Sequence, residues 1–165
     1  MRSDRMLHRT PLGCAFMIAP TVAASQRGAL EHLLYFNVNQ ERVRLGIQKA
    51  IDNYGVPEIV ERDGTMSVRV GATPGVECLF AISEFGHPLG IVIFTSLPSG
   101  RLVILHVGVL PRLRSTSAVD AEVLLELIHE VHRVARNRQG VGRVEVIYSQ
   151  RPGPGVSTQR SSPAS

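Results

Sequence analysis

The run Leu102 to Val109 is the most apolar in the chain, and it restricts the possible folds more than any other stretch. Its residues Leu102, Val103, Ile104 and Leu105 do not alternate with polar ones. Such a strand needs cover on both faces, so it belongs in the middle of a sheet. A turn beginning at Pro111 follows it. Beyond the turn, Leu124, Leu127, Ile128, Val131 and Val134 share one face, which predicts a helix from about Ala118 to Asn137. Gly140 stops that helix, and Val144, Val146 and Tyr148 alternate as a last strand. A strand-helix-strand unit of this length predicts a parallel last strand with a right-handed crossover.

Upstream, a first strand is expected over Gly13 to Ile18. Ala29, Leu30, Leu33 and Leu34 recur at helical spacing, so Ser25 to about Phe36 reads as a helix. Asn39 is a good N-cap for a second helix. Its apolar stripe is Val43, Ile47, Ala50, Ile51 and Tyr54, and Gly55 with Pro57 ends it. From Met66 the period changes to two, and strands are expected at Met66 to Val70, Glu77 to Ser83, Leu89 to Thr95 and Arg101 to Val109. The short turns between them imply antiparallel neighbours. The fold class is therefore α/β with a mixed sheet: two N-terminal helices, antiparallel strands, then a β-α-β unit ending in a parallel strand.

Residues 1–11 read as a flexible basic leader, 12–150 as a single domain, and the Pro/Gly/Ser-rich 151–165 as a disordered tail. Arg2, Arg5 and Arg9 ahead of Leu12 to Ala19 resemble a weak signal peptide. That is the alternative to a cytoplasmic protein with a loose leader. No run approaches the roughly 18 apolar residues of a membrane span.

Several function classes find little support. The chain has no Trp and only 5% aromatic residues, which is poor material for stacking bases. Its net charge of +4 comes mainly from scattered arginines, with Lys49 the only lysine, so nucleic-acid binding is not signalled. Cys14 and Cys78 match no metal or redox spacing. His129-Glu-Val-His132 approaches a zinc helix, but its histidines are three apart where chelation needs four. No metal is expected.

The element order, together with Val109, Pro111 and Arg114, resembles the GNAT superfamily of N-acetyltransferases. The family segment runs Val-x-Pro-x-x-Arg-x-x-Gly-x-Gly/Ala, and here Ser117 and Val119 replace its glycines. The resemblance covers roughly Gly13 to Tyr148. It implies that acetyl-CoA or another acyl-CoA binds at Val107, Val109, Arg112, Arg114, Ser115, Thr116 and Ser117, and that an acetyl group passes to an amine. Backbone N–H groups at a helix start attract anions, and Arg112 and Arg114 suit bidentate phosphate contacts. The same start also fits a capping box, Ser117-Ala-Val-Asp120, which satisfies itself. Both readings stay open at this point.

For the chemical step, His106, Glu84 and Tyr148 are the candidates. A neutral His106 suits a general base near neutral pH, while a buried, hydrogen-bonded core histidine is the structural alternative. Glu84 lies in a hairpin turn. Tyr148 sits earlier than the family's usual tyrosine acid. Set beside that family, the region after Tyr148 is short. The alternative function is a catalytically inactive relative acting as a homodimer or as a regulatory module on a protein partner.

Overall fold

The computed structural model describes residues 7–9, 15–35, 40–110 and 117–147. In chain order the elements are β1 (Leu7–Arg9), β2 (Ala15–Ala19), β3 (Val22–Ala23), a single 3-10 turn (Ala24–Gln26), α1 (Arg27–Tyr35), α2 (Gln40–Tyr54), β4 (Pro57–Arg62), β5 (Thr65–Val70), β6 (Val76–Ser83), β7 (Pro88–Leu97), β8 (Arg101–Val109), α3 (Ser117–Arg136) and β9 (Arg143–Val146). A six-stranded sheet has the order β1-β2-β6-β7-β8-β9, and a three-stranded sheet has the order β3-β5-β4. The protein is thus a mixed α/β fold, as its sequence pattern implies.

β8 lies inside the larger sheet, antiparallel to β7 and parallel to β9. Both its faces are covered. Val103 and Leu105 join Leu30, Leu33 and Leu34 of α1 and Met66, Val68 and Val70 of β5 in one core. Leu102 and Ile104 join Val123, Leu127 and Val131 of α3 in the other, with Phe16 and Phe94. This explains the unbroken apolar run: every position from Leu102 to His106 is buried.

Three departures from expectation have local causes. Leu7–Arg9, placed by composition in a loose leader, pairs with β2 in the register Leu7↔Met17 to Arg9↔Ala15. His8 stacks on Phe16 with ring centroids 5.6 Å apart, and its Nδ1 lies 3.5 Å from Glu126 of α3. Composition gives no weight to such contacts. Next, β5 does not join the main sheet beside β6. It pairs with β3 and β4, and β6 pairs with β2 instead.

The third is β4, which breaks its pattern with Glu58, Glu61 and Arg62 and so hides from a periodicity search. Its signal is the dipeptide Asp63-Gly64. The two residues have φ of 51° and 74°, and they close the register Arg62↔Thr65. That is the left-handed pair a two-residue hairpin turn requires, and Asp-Gly is its usual sequence. A Cβ on Gly64 would meet nothing within 4 Å, so only the dihedral angle resists substitution. Gly64→Ala is expected to cost about 1 kcal/mol in urea unfolding.

Candidate functional site

β8 holds one irregularity. Ile93 pairs with His106, but Phe94 pairs with Ile104, so Leu105 is an extra residue in the ladder. Side chains alternate along a strand, and one inserted residue exchanges the two faces beyond it. Leu102 and Ile104 point toward α3. Plain alternation would send His106 the same way. The bulge turns it to the opposite face, where its ring reaches the end of α1. Val107 and Val109, displaced in turn, pack half-buried on the α3 side.

His106 is 6% exposed, and its Nε2 lies 3.2 Å from the carbonyl oxygen of Leu33. Leu33 is in the last turn of α1, where carbonyls have no partner within the helix. A carbonyl only accepts, so Nε2 carries the hydrogen and donates it. In the neutral ring the lone pair then sits on Nδ1. Burial holds the pKa below the ordinary 6.5, and the Leu33 contact opposes that shift more weakly. The imidazole is therefore neutral at pH 7.

His106 lines a cavity of about 200 Å³. Leu34 and Tyr35 of α1, Ile47, Ala50 and Ile51 of α2, Gly55, Val56 and Pro57, Val70 of β5 and Leu105 supply the rest of the wall. Among the described residues only His106 and Tyr35 bring polar side-chain atoms to it. Tyr35 donates its hydroxyl to the Pro57 carbonyl at 2.7 Å, which ties the end of α1 to the start of β4. Desolvation by its surroundings, then the nearby Glu58 and Glu31 carboxylates, raise the Tyr35 pKa. It stays a neutral phenol near pH 7.

The apolar stripe of α2 carries no chemistry when read from its spacing, yet Ile47, Ala50 and Ile51 form one wall of this cavity. The available signal was the small Ala50 in mid-stripe, followed by Gly55. Small residues on a core-facing helix leave room that larger ones would fill.

The other candidates lie apart from His106. Glu84 is exposed in the turn joining β6 to β7. The stretch from Pro88 to Ile93 puts roughly 17 Å of strand between that turn and the level of His106. Gly108 is buried opposite Ile91, and the bulge falls at Leu105 rather than at this glycine. Ser117 opens α3, with Asp120 in its first turn. Arg112, Arg114, Ser115, Thr116 and Tyr148 lie outside the described residues, so the proposed phosphate-binding turn does too.

Among the described residues, no three His, Cys, Asp or Glu side chains converge in a metal-like group, and no helix is long and apolar enough to cross a membrane. On α3, Glu130 accepts from Arg133 Nε at 2.9 Å. Arg138, just beyond the helix, bonds Glu77 at 2.6 Å and Ser96 at 2.9 Å. Both arginines are engaged in contacts of the fold. Cys78 is buried, with its thiol pushed up to about 11 by desolvation, so it is an inert core residue.

No protein-family model matches the chain, and no curated protein matches it. Among solved structures it is similar to the crystal structure of nourseothricin acetyltransferase, with a TM-score of 0.36 and 20% sequence identity. That similarity covers 53% of this chain and 55% of the other, so the chain spans about half the length of that protein. At this TM-score the likeness decides nothing about chemistry, and the bulge, His106 and the cavity carry the functional reading.

Proposed function

We propose that this chain is a GNAT-like acyltransferase domain, which passes an acetyl or other acyl group from acyl-CoA to an amine. The observation that carries the reading is the bulge at Leu105, which turns a neutral, buried His106 into an apolar cavity. The sheet supports it as well. β8 is where antiparallel pairing on one side gives way to parallel pairing on the other, and its carboxyl end runs toward the start of α3. Ligands of open α/β sheets commonly bind beyond the carboxyl ends of strands.

In the proposed reaction the amine nitrogen attacks the thioester carbonyl. The C–N bond forms, the C–S bond breaks, and the thiolate leaves. The proton lost by nitrogen passes to a base, the role proposed for His106, and from there to the departing sulfur. The net change is amine plus thioester to amide plus thiol, with the histidine restored. Because burial lowers the pKa of His106, the ring is already free of a second proton at the working pH.

The direct test is thermal unfolding with and without acetyl-CoA. Ligand at 100 times its dissociation constant stabilises the native state by about 2.7 kcal/mol. For a domain of this size that raises the melting temperature by roughly 5–10 °C. No shift at millimolar acetyl-CoA would overturn the reading and leave the inactive interaction module in its place.

A further inference from the structure

We infer that the cavity beside His106 takes the hydrocarbon body of the acceptor, a compact apolar amine carrying a single ring or a short branched chain. The word "amine" rests on the acyltransferase reading, whereas the apolar body does not. The size supports it. The cavity measures about 200 Å³, and an apolar cavity of about 150 Å³ is enough to hold benzene.

The chemistry of the wall narrows the class further. Among the described residues no arginine, lysine, aspartate or glutamate lines the cavity, so neither a carboxylate nor a phosphate finds a counter-charge among them. An ammonium group finds none either. A sugar would leave most of its hydroxyls without partners, at a cost for each one. Tyr35 gives its hydroxyl hydrogen to the Pro57 carbonyl and so offers the guest no donor. An apolar site also disfavours the charged form of an amine and lowers its pKa, delivering it as the neutral nucleophile. The mouth is formed partly by Val56, which is 51% exposed, so the cavity reaches the surface.

The test uses the full chain and the neutral analogues benzyl alcohol and 2-phenylethanol, titrated by ligand-observed NMR without any acyl donor. Saturable binding of benzyl alcohol at millimolar concentration or tighter is expected, with none for glycerol. Ala50→Leu fills the cavity and should weaken benzyl alcohol at least tenfold. Should that variant fail to fold, Ile51→Ala enlarges the cavity and should shift preference toward 2-phenylethanol. No saturable binding to the unaltered chain, or binding that ignores both changes, overturns the inference. Acetyl-CoA is scored separately by the thermal shift. If the alcohols bind and acetyl-CoA does not, the apolar site stands and the acyltransferase reading falls. If acetyl-CoA binds and the alcohols do not, the inference fails and the reading survives.

Discussion

Replacing Gly55 with alanine is expected to lower the melting temperature by on the order of 10 °C, well beyond the effect of the same change at Gly64. Gly55 follows α2 with φ of 102°, and Gly71 follows β5 with φ of 48°. The two backbones touch. A Cβ on Gly55 would lie 2.7 Å from Gly71 Cα and 3.1 Å from its nitrogen, and a Cβ on Gly71 would lie 2.6 Å from the Tyr54 carbonyl oxygen. These neighbours are main-chain atoms and cannot rotate away. Gly55→Ala therefore adds a forced separation of α2 from β5 to the cost of the dihedral angle. About 3 kcal/mol in all is reasonable for combined strain and displacement. At roughly 2–4 °C per kcal/mol for a domain of this size, that gives the stated shift. Gly71→Ala should cost a similar amount. The double variant should cost less than the sum, because one displacement relieves both clashes. Differential scanning calorimetry of the three variants checks this, and a Gly55→Ala loss no larger than that of Gly64→Ala would show the contact to be unimportant. Gly55 also lines the cavity, so the same substitution should weaken binding of benzyl alcohol.

The second large effect concerns His106 and pH. Its folded-state pKa lies below the ordinary 6.5 because burial disfavours the imidazolium. In the unfolded chain it takes up a proton near pH 6.5. Below that pH the unfolded state binds more protons than the folded one, so stability must fall. The contribution is thus complete above pH 6.5 and is lost as pH drops toward the folded-state value, by at most about 1.4 kcal/mol per pH unit. Other histidines titrate in the same range, so the readout is a difference. Urea unfolding of wild type and His106→Gln from pH 7.5 to 5 should give curves that converge as pH falls. Parallel curves would mean that burial at His106 does not perturb its titration. Glutamine can still donate to the Leu33 carbonyl. Leucine cannot, and His106→Leu should cost about 1–3 kcal/mol more at pH 7.5, where the carbonyl is left without its donor. On the acyltransferase reading, His106→Gln also lowers turnover by about 10² to 10⁴, the usual worth of a positioned general base.

Much of the architecture is written in local patterns. The helical repeat of Leu30, Leu33 and Leu34, the stripe of α2, the unbroken apolar run of β8 and the length of α3 each follow from where apolar side chains must be buried. Those rules require nothing beyond neighbouring residues. The Asp63-Gly64 turn carries a local signal of the same kind, but the expected strands omit β4, whose charges conceal it.

The site is another matter. Along Leu102 to Val109 every position is apolar apart from His106 and Gly108, so the sequence has no period that could reveal a slip in phase. The bulge exists only in the register between β8 and β7, and it decides which face His106 joins. The cavity likewise depends on how its walls are held together, by the contact of Gly55 with Gly71 between α2 and β5 and by the Tyr35 bond to Pro57 between α1 and β4. Composition and spacing alone determined a mixed α/β domain with β8 at its centre, because burial is a property of each residue and its near neighbours. Which side chain meets the cavity was left to the tertiary structure, because a one-residue offset between strands far apart in the chain reverses every direction beyond it.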